Sequence, residues 1–527
     1  MYSILYSRIL SMKFLHICLI LLINYVPSLA LNILYAHDVA SPSHEIWNYE
    51  LAAALVEKGH NVTMFSPLPK QGQGQKNYHT IQIEGLLDEI QENFDLDDVV
   101  ENNDFENLLL YHDWGTFSCE HTVQSKGLSK LLSYPRDSFD LILVEYTFTP
   151  CLFYLIQAFD YPPTVVITPF LLPAFLAETF GSDVQPAYIA SHVLNHNGKF
   201  TFFDRLRNFA LLKMDTLLRY FYVNDKIKEY ATKAFGKELA PLDSLMNHVS
   251  LVLCNTIPGF HHAQPLAPNI IPVGGLHVTL GKELPEEFMN IMNNAKDGVI
   301  LMSFGTNIHS ANIKDDKKNS IIESLGQLKQ TVLWKFDADL DNLPKNVILR
   351  KWLPQKEILA HPNLKLFISH GGALSTIEAS ALGVPVLGIP FLLDQNANIQ
   401  LMVEKKVALK VDYTTMTSAV LVDKINEILN NPVYAESAKK ISNVINDQPQ
   451  KPLERAVFWV EYVARHNGTH AFDPASKYLP FYITSCLDIY LFVFIISLIV
   501  FYVLKKIFNS VKSAVLTKRQ SNKLKKK

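Results

Sequence analysis

Short apolar runs alternate with helical patterns along the first part of the chain. The run LNILYAHDV (31–39) has the length of a strand, and it is followed by a helical pattern that ends at Gly59 and by a second strand-like run, NVTMFSP (61–67). The same kind of run returns at FDLILVEY (139–146) and TVVIT (164–168). These runs are too continuously apolar for a sheet with one wet face, so they predict a parallel sheet that helices cover on both sides.

Strand-like runs resume in the second half of the chain, where helical patterns again separate them. They are VILMSF (299–304), TVLWKF (331–336), NVILR (346–350), LKLFIS (364–369) and VPVLGIP (384–390). This half therefore also predicts a doubly wound α/β domain. Prolines, paired glycines and turn residues cluster between 258 and 284, and we place the domain boundary there, after residue 265. Two such domains would leave a cleft at the carboxyl ends of their strands.

Two segments carry no clear strand pattern. Residues 71–107 are polar and acidic, and they predict loops and helices that lie over the sheet. Residues 170–237 are rich in aromatic and aliphatic side chains, and they predict helices. The apolar side chains of these helices either pack as buried core, which is the favoured interpretation, or line an apolar pocket.

The two ends of the chain differ from its middle. The chain has 527 residues, enough for two large domains, and its net charge of −3 with mixed signs gives no indication of a nucleic-acid partner. Arg8 and Lys13 precede an apolar run, and SLA (28–30) has the form of a signal-peptidase site. The pattern predicts a signal peptide at 1–30, cleaved after Ala30, and an uncleaved anchor is the alternative.

An apolar run from Ile489 to Leu504 lies between Asp488 and a basic tail. It predicts a transmembrane helix at 487–504 after a juxtamembrane segment at 471–486, and a buried core helix is the alternative. The positive-inside rule places the tail, 505–527, in the cytosol, so both domains would be lumenal in a single-pass type I protein. The final KLKKK resembles signals for return to the endoplasmic reticulum, and a plain stop-transfer tail is the alternative.

Cysteines and sequons fit the secretory route. Cys119, Cys151 and Cys254 lie in the predicted lumenal part, so at most one disulfide can form between them, and no CxxC spacing indicates a metal site. Asn61 and Asn467 each begin an Asn-x-Thr sequence, so both are predicted glycosylation sites, although Asn61 is close to a strand.

A glycine turn follows the strand-like run LKLFIS. His370, Gly371 and Gly372 lead into a helical pattern that covers about 375–382. Backbone amides at such a turn, together with the positive end of a helix, form an anion site suited to a diphosphate. The alternative is a plain capping box, in which Ser375 and Glu378 only satisfy the start of the helix.

A wider set of residues matches a known family in order and spacing. The set comprises Trp352, Pro354, Gln355, His370, Gly371, Gly372, Glu378, Pro385, Pro390, Asp394 and Gln395. In these residues, and over most of its length, the sequence resembles the UDP-glycosyltransferases, in particular the membrane-bound branch that includes animal UDP-glucuronosyltransferases. The resemblance implies an α/β fold of the GT-B type, in which two doubly wound Rossmann-like domains face a cleft. The acceptor-binding domain would be 31–265, and the UDP-sugar-binding domain 266–470.

The resemblance also implies a site for a UDP-sugar. In the family, the aromatic residue at Trp352 stacks on uracil, Gln355 contacts the nucleoside, and Glu378 accepts both ribose hydroxyls. Asp394 and Gln395 would bond the sugar hydroxyls. The diphosphate would be held by Ser303, Gly305, Thr306, His370, Gly371, Gly372 and Ser375. We expect no cofactor beyond the UDP-sugar co-substrate and no metal, because the helix dipole and amides stabilise the leaving diphosphate.

Transfer to an acceptor requires a base, and a histidine of ordinary pKa suits that task. The first loop offers His37 and His44; the resemblance selects His44 as the catalytic base and leaves His37 a structural role. In relatives an Asp orients this histidine, whereas the corresponding residue here is Glu145, one methylene longer. Glu145 is the predicted partner, and a loop carboxylate without a catalytic role is the alternative.

The resulting prediction is transfer of a hexose or hexuronic acid from a UDP-sugar to a hydroxyl of a small lipophilic acceptor, with inversion, as in detoxifying conjugation. Glucuronosyl transfer is the favoured form. The alternatives are a dedicated sterol or glycolipid glucosyltransferase and a non-catalytic membrane protein that binds UDP-sugars. The sequence leaves a homo-oligomer open.

Overall fold

Two sheets made only of parallel strand pairs form the framework of the molecule. The computed structural model describes residues 30–69, 75–93, 99–100, 102–194, 199–279, 283–306, 313–340 and 342–524. The predicted signal peptide lies outside these residues except for Ala30, and so do the last three lysines of the tail.

The first sheet has seven strands in the order β3-β2-β1-β4-β5-β6-β7. They are β1 (Asn32–Ala36), β2 (Asn61–Ser66), β3 (Tyr78–Gln82), β4 (Leu141–Glu145), β5 (Thr164–Thr168), β6 (Val249–Cys254) and β7 (Ile270–Pro272). Successive residues of β1 pack into opposite layers, Leu34 and Ala36 into one, Ile33 and Tyr35 into the other. Helices cover both faces, as the apolar runs predict.

Three strands of this sheet, β3, β6 and β7, were not predicted from the sequence. β3 lies inside the segment predicted as loops and helices. The pattern missed it because β3 is an edge strand whose sequence, YHTIQ, alternates apolar with polar residues and has no continuous apolar run. β7 pairs with β6, so the first sheet continues past the boundary placed at residue 265. A strand as short as β7 carries too little pattern to be recognised.

The second sheet has six strands in the order β10-β9-β8-β11-β12-β13. They are β8 (Val299–Ser303), β9 (Thr331–Lys335), β10 (Val347–Arg350), β11 (Leu364–Ser369), β12 (Val386–Gly388) and β13 (Ala408–Lys410). Each sheet therefore reverses its strand order at one pair, β1 with β4 in the first and β8 with β11 in the second. Ligands bind at such switch points, beyond the carboxyl ends of the strands.

Helices connect the strands and form the outer layers. In the first half they are α1 (Pro42–Glu57), α2 (Leu86–Asn93), α3 (Asp104–Gln124), α4 (Lys126–Leu132), α5 (Tyr154–Ala158), α6 (Ala174–Thr179), α7 (Phe202–Leu218), α8 (Asn224–Phe235) and α9 (Leu242–His248). In the second half they are α10 (Glu286–Asn294), α11 (Asp315–Gly326), α12 (Gln355–Leu359), α13 (Ala373–Leu382), α14 (Gln395–Glu404), α15 (Ser418–Asn430), α16 (Pro432–Asn446), α17 (Pro452–Arg465), α18 (Phe481–Thr484) and α19 (Leu487–Leu524).

The chain returns to the first domain after the second sheet is complete. Helix α17 packs its buried residues Val457, Val460 and Val463 into the same layer as Trp47 of α1. The part predicted as the second domain, 266–470, therefore ends with a helix that belongs to the core of the first. A shared hydrophobic layer between distant segments leaves no mark in the local pattern.

Helix α19 includes the predicted membrane span. Within the described residues, it is the one helix long and apolar enough to cross a membrane, over Leu487–Lys518. The helix does not end at Leu504 but continues into the basic tail. Length and composition alone make it a candidate span.

The interpretation of residues 170–237 as buried core is wrong for part of this segment. Helix α7 and the following π-helical turn, Arg219–Val223, bury Leu211, Leu212 and Val223, but several large apolar side chains face outward. The exposed ones are Phe202, Phe203, Leu206, Phe209, Leu217, Tyr220, Phe221 and Tyr222.

Cys119 of α3 and Cys151 form a disulfide between residues 32 positions apart, while Cys254 and Cys486 are free. Because a crosslink restricts the unfolded chain, we expect Cys119→Ser combined with Cys151→Ser to lower the free energy of unfolding by roughly 3 to 4 kcal/mol. The measurement is the urea midpoint of the detergent-solubilised full chain. Cys486→Ser, at an exposed free thiol, is the control, and an unchanged midpoint in the double variant would contradict the expectation.

Candidate active site

The two switch points carry the predicted site residues. His44 lies in α1, soon after β1, and Glu145 is the last residue of β4, so neighbouring strands deliver both to one edge of the first sheet. In the second sheet, Ser303 ends β8 and His370 follows β11, its neighbour. Helix α1 begins at Pro42, before His44, because a proline is preorganised for the first turn of a helix.

His44 and Glu145 form a buried hydrogen-bonded pair. The Nδ1 atom of His44 lies 2.6 Å from Oε1 of Glu145, and both residues are buried. Within the described part of the chain, no residue bonds the Nε2 atom of His44. The ring packs edge-on against Phe170, with 5.0 Å between the ring centroids. The longer side chain of Glu145 therefore reaches the histidine, with Nε2 left available on its far side.

Glu145 is held by more than the histidine. The Nδ2 atom of Asn48, one turn along α1 from His44, donates to Oε2 at 2.6 Å, and the hydroxyl of Thr147 donates to Oε1. Burial alone would raise the pKa of Glu145, but the charge and hydrogen bond of His44 outweigh it, and the pKa is held at about 2. A carboxylate that keeps its charge can orient the imidazole and stabilise its protonated form.

His37 has a different partner. Its Nε2 atom lies 2.9 Å from Oε2 of Glu45, and both residues are buried. Burial would lower the pKa of His37, but the hydrogen bond and charge of Glu45 reverse the direction and raise it. Its other ring nitrogen, Nδ1, is buried without a hydrogen-bond partner among the described residues, so His37 presents no open nitrogen to an acceptor hydroxyl.

The glycine turns of the second domain form a compact cradle. Gly305 and Gly371 have φ values of +81° and +88°, which glycine adopts without strain. A Cβ atom at Gly305 would lie 2.7 Å from the His370 ring, so the histidine fills the space that the missing side chain leaves. Lys335 donates from Nζ to the carbonyl oxygen of Gly305 at 2.6 Å. Burial and the Lys335 charge lower the pKa of His370 to about 4, which keeps the ring neutral near pH 7.

The remaining members of the predicted diphosphate set lie around this cradle. The amide of Gly305 donates to the Ser303 hydroxyl at 3.3 Å, and Thr306 is exposed beside it. Gly372 is the N-cap of α13, so the free amides at the start of this helix point out of the turn. The arrangement gives an anion site with a lysine beside it.

The predicted nucleoside end lies next to the start of α13. The Nε2 atom of Gln355 donates to Oε2 of Glu378 at 2.7 Å and to the hydroxyl of Ser375 at 3.1 Å. Trp352 has 66% of its side chain exposed, so its ring face is free to stack. Burial raises the pKa of Glu378 to about 7, against the opposing hydrogen bond from Gln355. The capping-box alternative is wrong, because Gly372 caps α13 and Glu378 lies inside the helix.

The predicted sugar end lies at the start of α14. Asn398 donates from Nδ2 to Oδ2 of Asp394 at 2.7 Å and to the carbonyl of Gly371 at 3.0 Å, which ties the sugar end to the diphosphate end. Gln395 uses its carbonyl oxygen to accept the amide of Phe391 at 2.9 Å. Burial raises the pKa of Asp394 to about 6, while the Asn398 hydrogen bond and the charge of His44 oppose the rise. The Nζ atom of Lys356, the residue after Gln355, pairs with Oε1 of Glu50 in α1 at 3.0 Å, so the two halves of the site face each other.

Sequence reasoning missed four polar residues that shape the site, Asn48, Thr147, Lys335 and Asn398. Asn48 follows His44 at the spacing of one helical turn, and Asn398 follows Asp394 in the same way, so helical spacing offered a signal for both. Thr147 follows β4 at the switch point of the first sheet, and Lys335 ends β9, the neighbour of β8; polar residues at the carboxyl ends of such strands are functional candidates. The structure places His44 and Glu145 at the switch point of the first sheet, and it places the predicted donor-binding residues at or after the carboxyl ends of strands of the second.

Comparison with known proteins identifies the family. The family model described as "UDP-glucoronosyl and UDP-glucosyl transferase" matches residues 36–522, which is most of the chain. The chain belongs to the UDP-glycosyltransferase family. The transferase is 31% identical over 487 residues to UDP-glycosyltransferase UGT5 of Dactylopius coccus, with 90% of this chain and 91% of the relative covered. It is also 31% identical over 398 residues to UDP-glucuronosyltransferase 2B15 of Homo sapiens, covering 75% and 74% of the two chains.

Solved structures share the fold. The transferase is similar to the glycosyltransferase VinC in complex with dTDP, with a TM-score of 0.57 and 17% identity, covering 82% of this chain and 99% of that one. Spinosyn forosaminyltransferase SpnP gives a TM-score of 0.55 and 15% identity, covering 83% and 100%. At these identities the likeness shows the fold alone, which is the two-domain GT-B architecture. Family and fold together confirm that the chain is a glycosyltransferase.

Gly305→Ala tests the cradle. The new methyl group would meet the His370 ring, so we expect the affinity for UDP to fall at least about tenfold, which corresponds to about 1.4 kcal/mol. Isothermal titration of UDP into the full chain in detergent measures the effect. Gly236→Ala is a matched control, because Gly236 also has a positive φ, +91°, but has no atom within 4 Å of its Cβ position. Equal affinity losses in both variants would contradict the contact with His370.

Proposed function

We propose that the transferase moves a sugar from a UDP-sugar to a hydroxyl group of a small lipophilic acceptor, with inversion at the anomeric carbon. The observation that carries this proposal is the His44–Glu145 hydrogen bond of 2.6 Å at the edge of the cleft that also holds Asp394. The dedicated sterol or glycolipid acceptor remains an alternative within the same chemistry. The non-catalytic interpretation rested on the longer side chain of Glu145, and its contact with His44 speaks against it.

In the proposed reaction, His44 accepts the proton of the acceptor hydroxyl at Nε2 while its Nδ1–H donates to Glu145. The acceptor oxygen forms a bond to the anomeric carbon as the bond from that carbon to the UDP oxygen breaks. One displacement by one nucleophile inverts the configuration. The ionised state of Glu145, with its pKa of about 2, stabilises the imidazolium that forms.

The leaving diphosphate develops negative charge at the glycine cradle. The amides at the start of α13 and the ammonium group of Lys335 would stabilise it, while neutral His370 would donate an N–H. We therefore propose turnover without a metal ion. Gln355, Glu378 and Trp352 would hold the uridine, and Asp394, Gln395 and Asn398 would hold the sugar.

We propose a neutral hexose as the donor sugar, with glucuronate as the second candidate. A carboxylate on the sugar would lie near Asp394, whose own charge would repel it. Among the described residues, no lysine or arginine forms an ion pair with Asp394, whose side chain accepts a hydrogen bond from Asn398. A relative named UDP-glucosyltransferase 2 of Dactylopius coccus, 29% identical with 92% of this chain covered, supports glucose, whereas the glucuronosyltransferase relatives support glucuronate.

We further propose that α19 anchors the transferase in the endoplasmic reticulum membrane with both domains in the lumen. The chain has an apolar helix followed by a basic tail that ends in KLKKK. Asn467 is exposed and can accept a glycan, whereas Asn61 is the first residue of β2 and bonds the Asn32 side chain at 3.1 Å. We therefore propose Asn467 as the better glycosylation site of the two predicted ones.

His44→Ala tests the base and, offered several donors, the sugar. With UDP-glucose, UDP-galactose, UDP-N-acetylglucosamine and UDP-glucuronate given separately to the membrane-inserted chain and a phenolic acceptor mixture, we expect UDP release with a neutral hexose. The variant should lower kcat by at least about 100-fold while UDP affinity is unchanged. His37→Gln is the control, since it also replaces a buried histidine beside β1, and it should retain most turnover. Undiminished turnover in His44→Ala would refute the base, and release with UDP-glucuronate alone would refute the neutral sugar.

Glu378 makes donor binding depend on pH. Its two oxygens accept ribose hydroxyls most strongly when the group is ionised, and burial raises its pKa to about 7. Protonation below that value removes acceptor capacity, so we expect the KM for the UDP-sugar to fall about tenfold between pH 6 and pH 8. In Glu378→Gln the KM should be higher and independent of pH over the same range. An equally steep KM profile in the variant would show that another group titrates.

A further inference from the structure

One side of α7 exposes a continuous row of apolar side chains. We use the name α7 face for five of these residues: Phe202, Leu206, Phe209, Leu217 and, after the helix, Tyr220. At 100° per residue, the first four fall within about 80° of the helix circumference. Each is exposed over about half of its surface or more, and Phe203 at the edge of the face is 76% exposed. Contiguous exposed apolar patches of this kind mark interaction sites.

The helix itself is fixed in place. Its opposite side buries Leu211 and Leu212, and Asn208 donates to the carbonyl oxygens of Pro186 and Ile189 at 2.9 and 2.7 Å. The α7 face is therefore a permanent feature of the surface that no rearrangement of the helix alone would hide. The remaining question is what covers it.

The segment before α19 is fastened to the first domain. Ser476 donates to the carbonyl of Gly181 at 2.7 Å, and the buried ammonium group of Lys477 donates to the carbonyl of Val249 at 2.7 Å and pairs with Asp473 at 3.0 Å. Asn269 donates to the same Asp473 at 3.1 Å. These contacts set where the first domain lies relative to the start of α19.

The α7 face meets this segment directly. Lys213 lies on the face by its position in the helix, and its Nζ atom is 5.6 Å from the ring centroid of Phe481. Phe481 and Tyr482 are themselves half-exposed, as aromatic side chains at a membrane interface are. Phe202 precedes Lys213 by less than four helical turns, or about 16 Å along the axis, so the whole face lies near the start of α19.

We propose that the α7 face rests in the membrane surface beside α19, with its apolar side chains among the lipid headgroups and upper acyl chains. The proposal rests on α19 crossing that membrane. A helix with phenylalanine and leucine side chains on one side has the apolar face of interfacial helices, which lie in the membrane plane, and the long side chain of Lys213 can carry its charge to the headgroups. A second copy of the chain covering the face is the competing occupant, and the experiment below separates the two.

The test places a tryptophan on the face and measures its contact with lipid. The full chain carrying Phe209→Trp is reconstituted into phosphatidylcholine vesicles with and without brominated phosphatidylcholine, a quencher of tryptophan. The emission added by the new tryptophan, relative to the unmodified chain, is recorded. Val433→Trp, at an exposed position of α16 in the second domain, is the matched control, and Tyr502→Trp inside α19 marks the bilayer.

We expect brominated lipid to lower the emission added at position 209 about twofold, because the face would lie 5 to 10 Å deep, and to lower that at position 502 likewise. The emission added at position 433 should not change. Equal quenching at positions 209 and 433, or no quenching at 209, would overturn the proposal. A second copy of the chain on the face would also overturn it. In that case the emission at 209 would be blue-shifted and insensitive to brominated lipid, and it would shift to the red when the protein is diluted. No quenching at position 502 would also overturn the proposal, because it would show that α19 does not cross the membrane. Because this readout needs no turnover, it is separate from the test of the proposed reaction.

Discussion

The active site depends on the stabilisation of one buried carboxylate. Glu145 ends a central strand of the first sheet, where burial favours its neutral form. It keeps its charge because His44, Asn48 and Thr147 all direct donors at it. The loop that carries Thr147 is in turn held by Arg219, which donates to the carbonyl of the next residue at 2.8 Å. Helix α1, strand β4 and the π-helical turn after α7 are thus arranged around a single charge. Removing one of the donors would leave the buried charge of Glu145 only partly compensated.

The local pattern predicts the parts of the molecule that local chemistry controls. Central strands on both sheets are continuous apolar runs, and the glycine turn before α13 follows from the need for positive φ at Gly371. The resemblance to the family predicted the His44–Glu145 pair, and the structure shows that the two residues adjoin strands that pair at a switch point. Asn48 was not predicted: its spacing of one helical turn from His44 places the two side chains on one helix face, but the local pattern does not show that both meet Glu145.

Long-range packing explains what the pattern could not predict. Helix α17 follows the second sheet in sequence but joins the core of the first domain, and the segment before α19 follows it there. The first domain is therefore the one tied to α19, the candidate membrane span. The second domain contacts it through side chains such as Lys356, which pairs with Glu50 of α1 at 3.0 Å. That pair links the residue after Gln355, at the nucleoside end, to the helix that carries His44, so the two half-sites share one rigid element.

Burying the carboxyl group of Glu378 in the proposed donor half-site lowers the free energy of unfolding, and a bound substrate could offset this loss. Glu378 ionises at its ordinary value of 4.5 in the unfolded chain but at about 7 in the folded one, so the folded state binds the extra proton between these values. The free energy of unfolding therefore falls as pH rises from 4.5 to 7, by on the order of 3 kcal/mol from this group. Hydroxyl groups of a bound ribose would donate to the ionised carboxylate and reverse that loss. Because the two oxygens of a carboxylate can each accept one of two adjacent hydroxyls, such a ligand would favour the ionised form of Glu378.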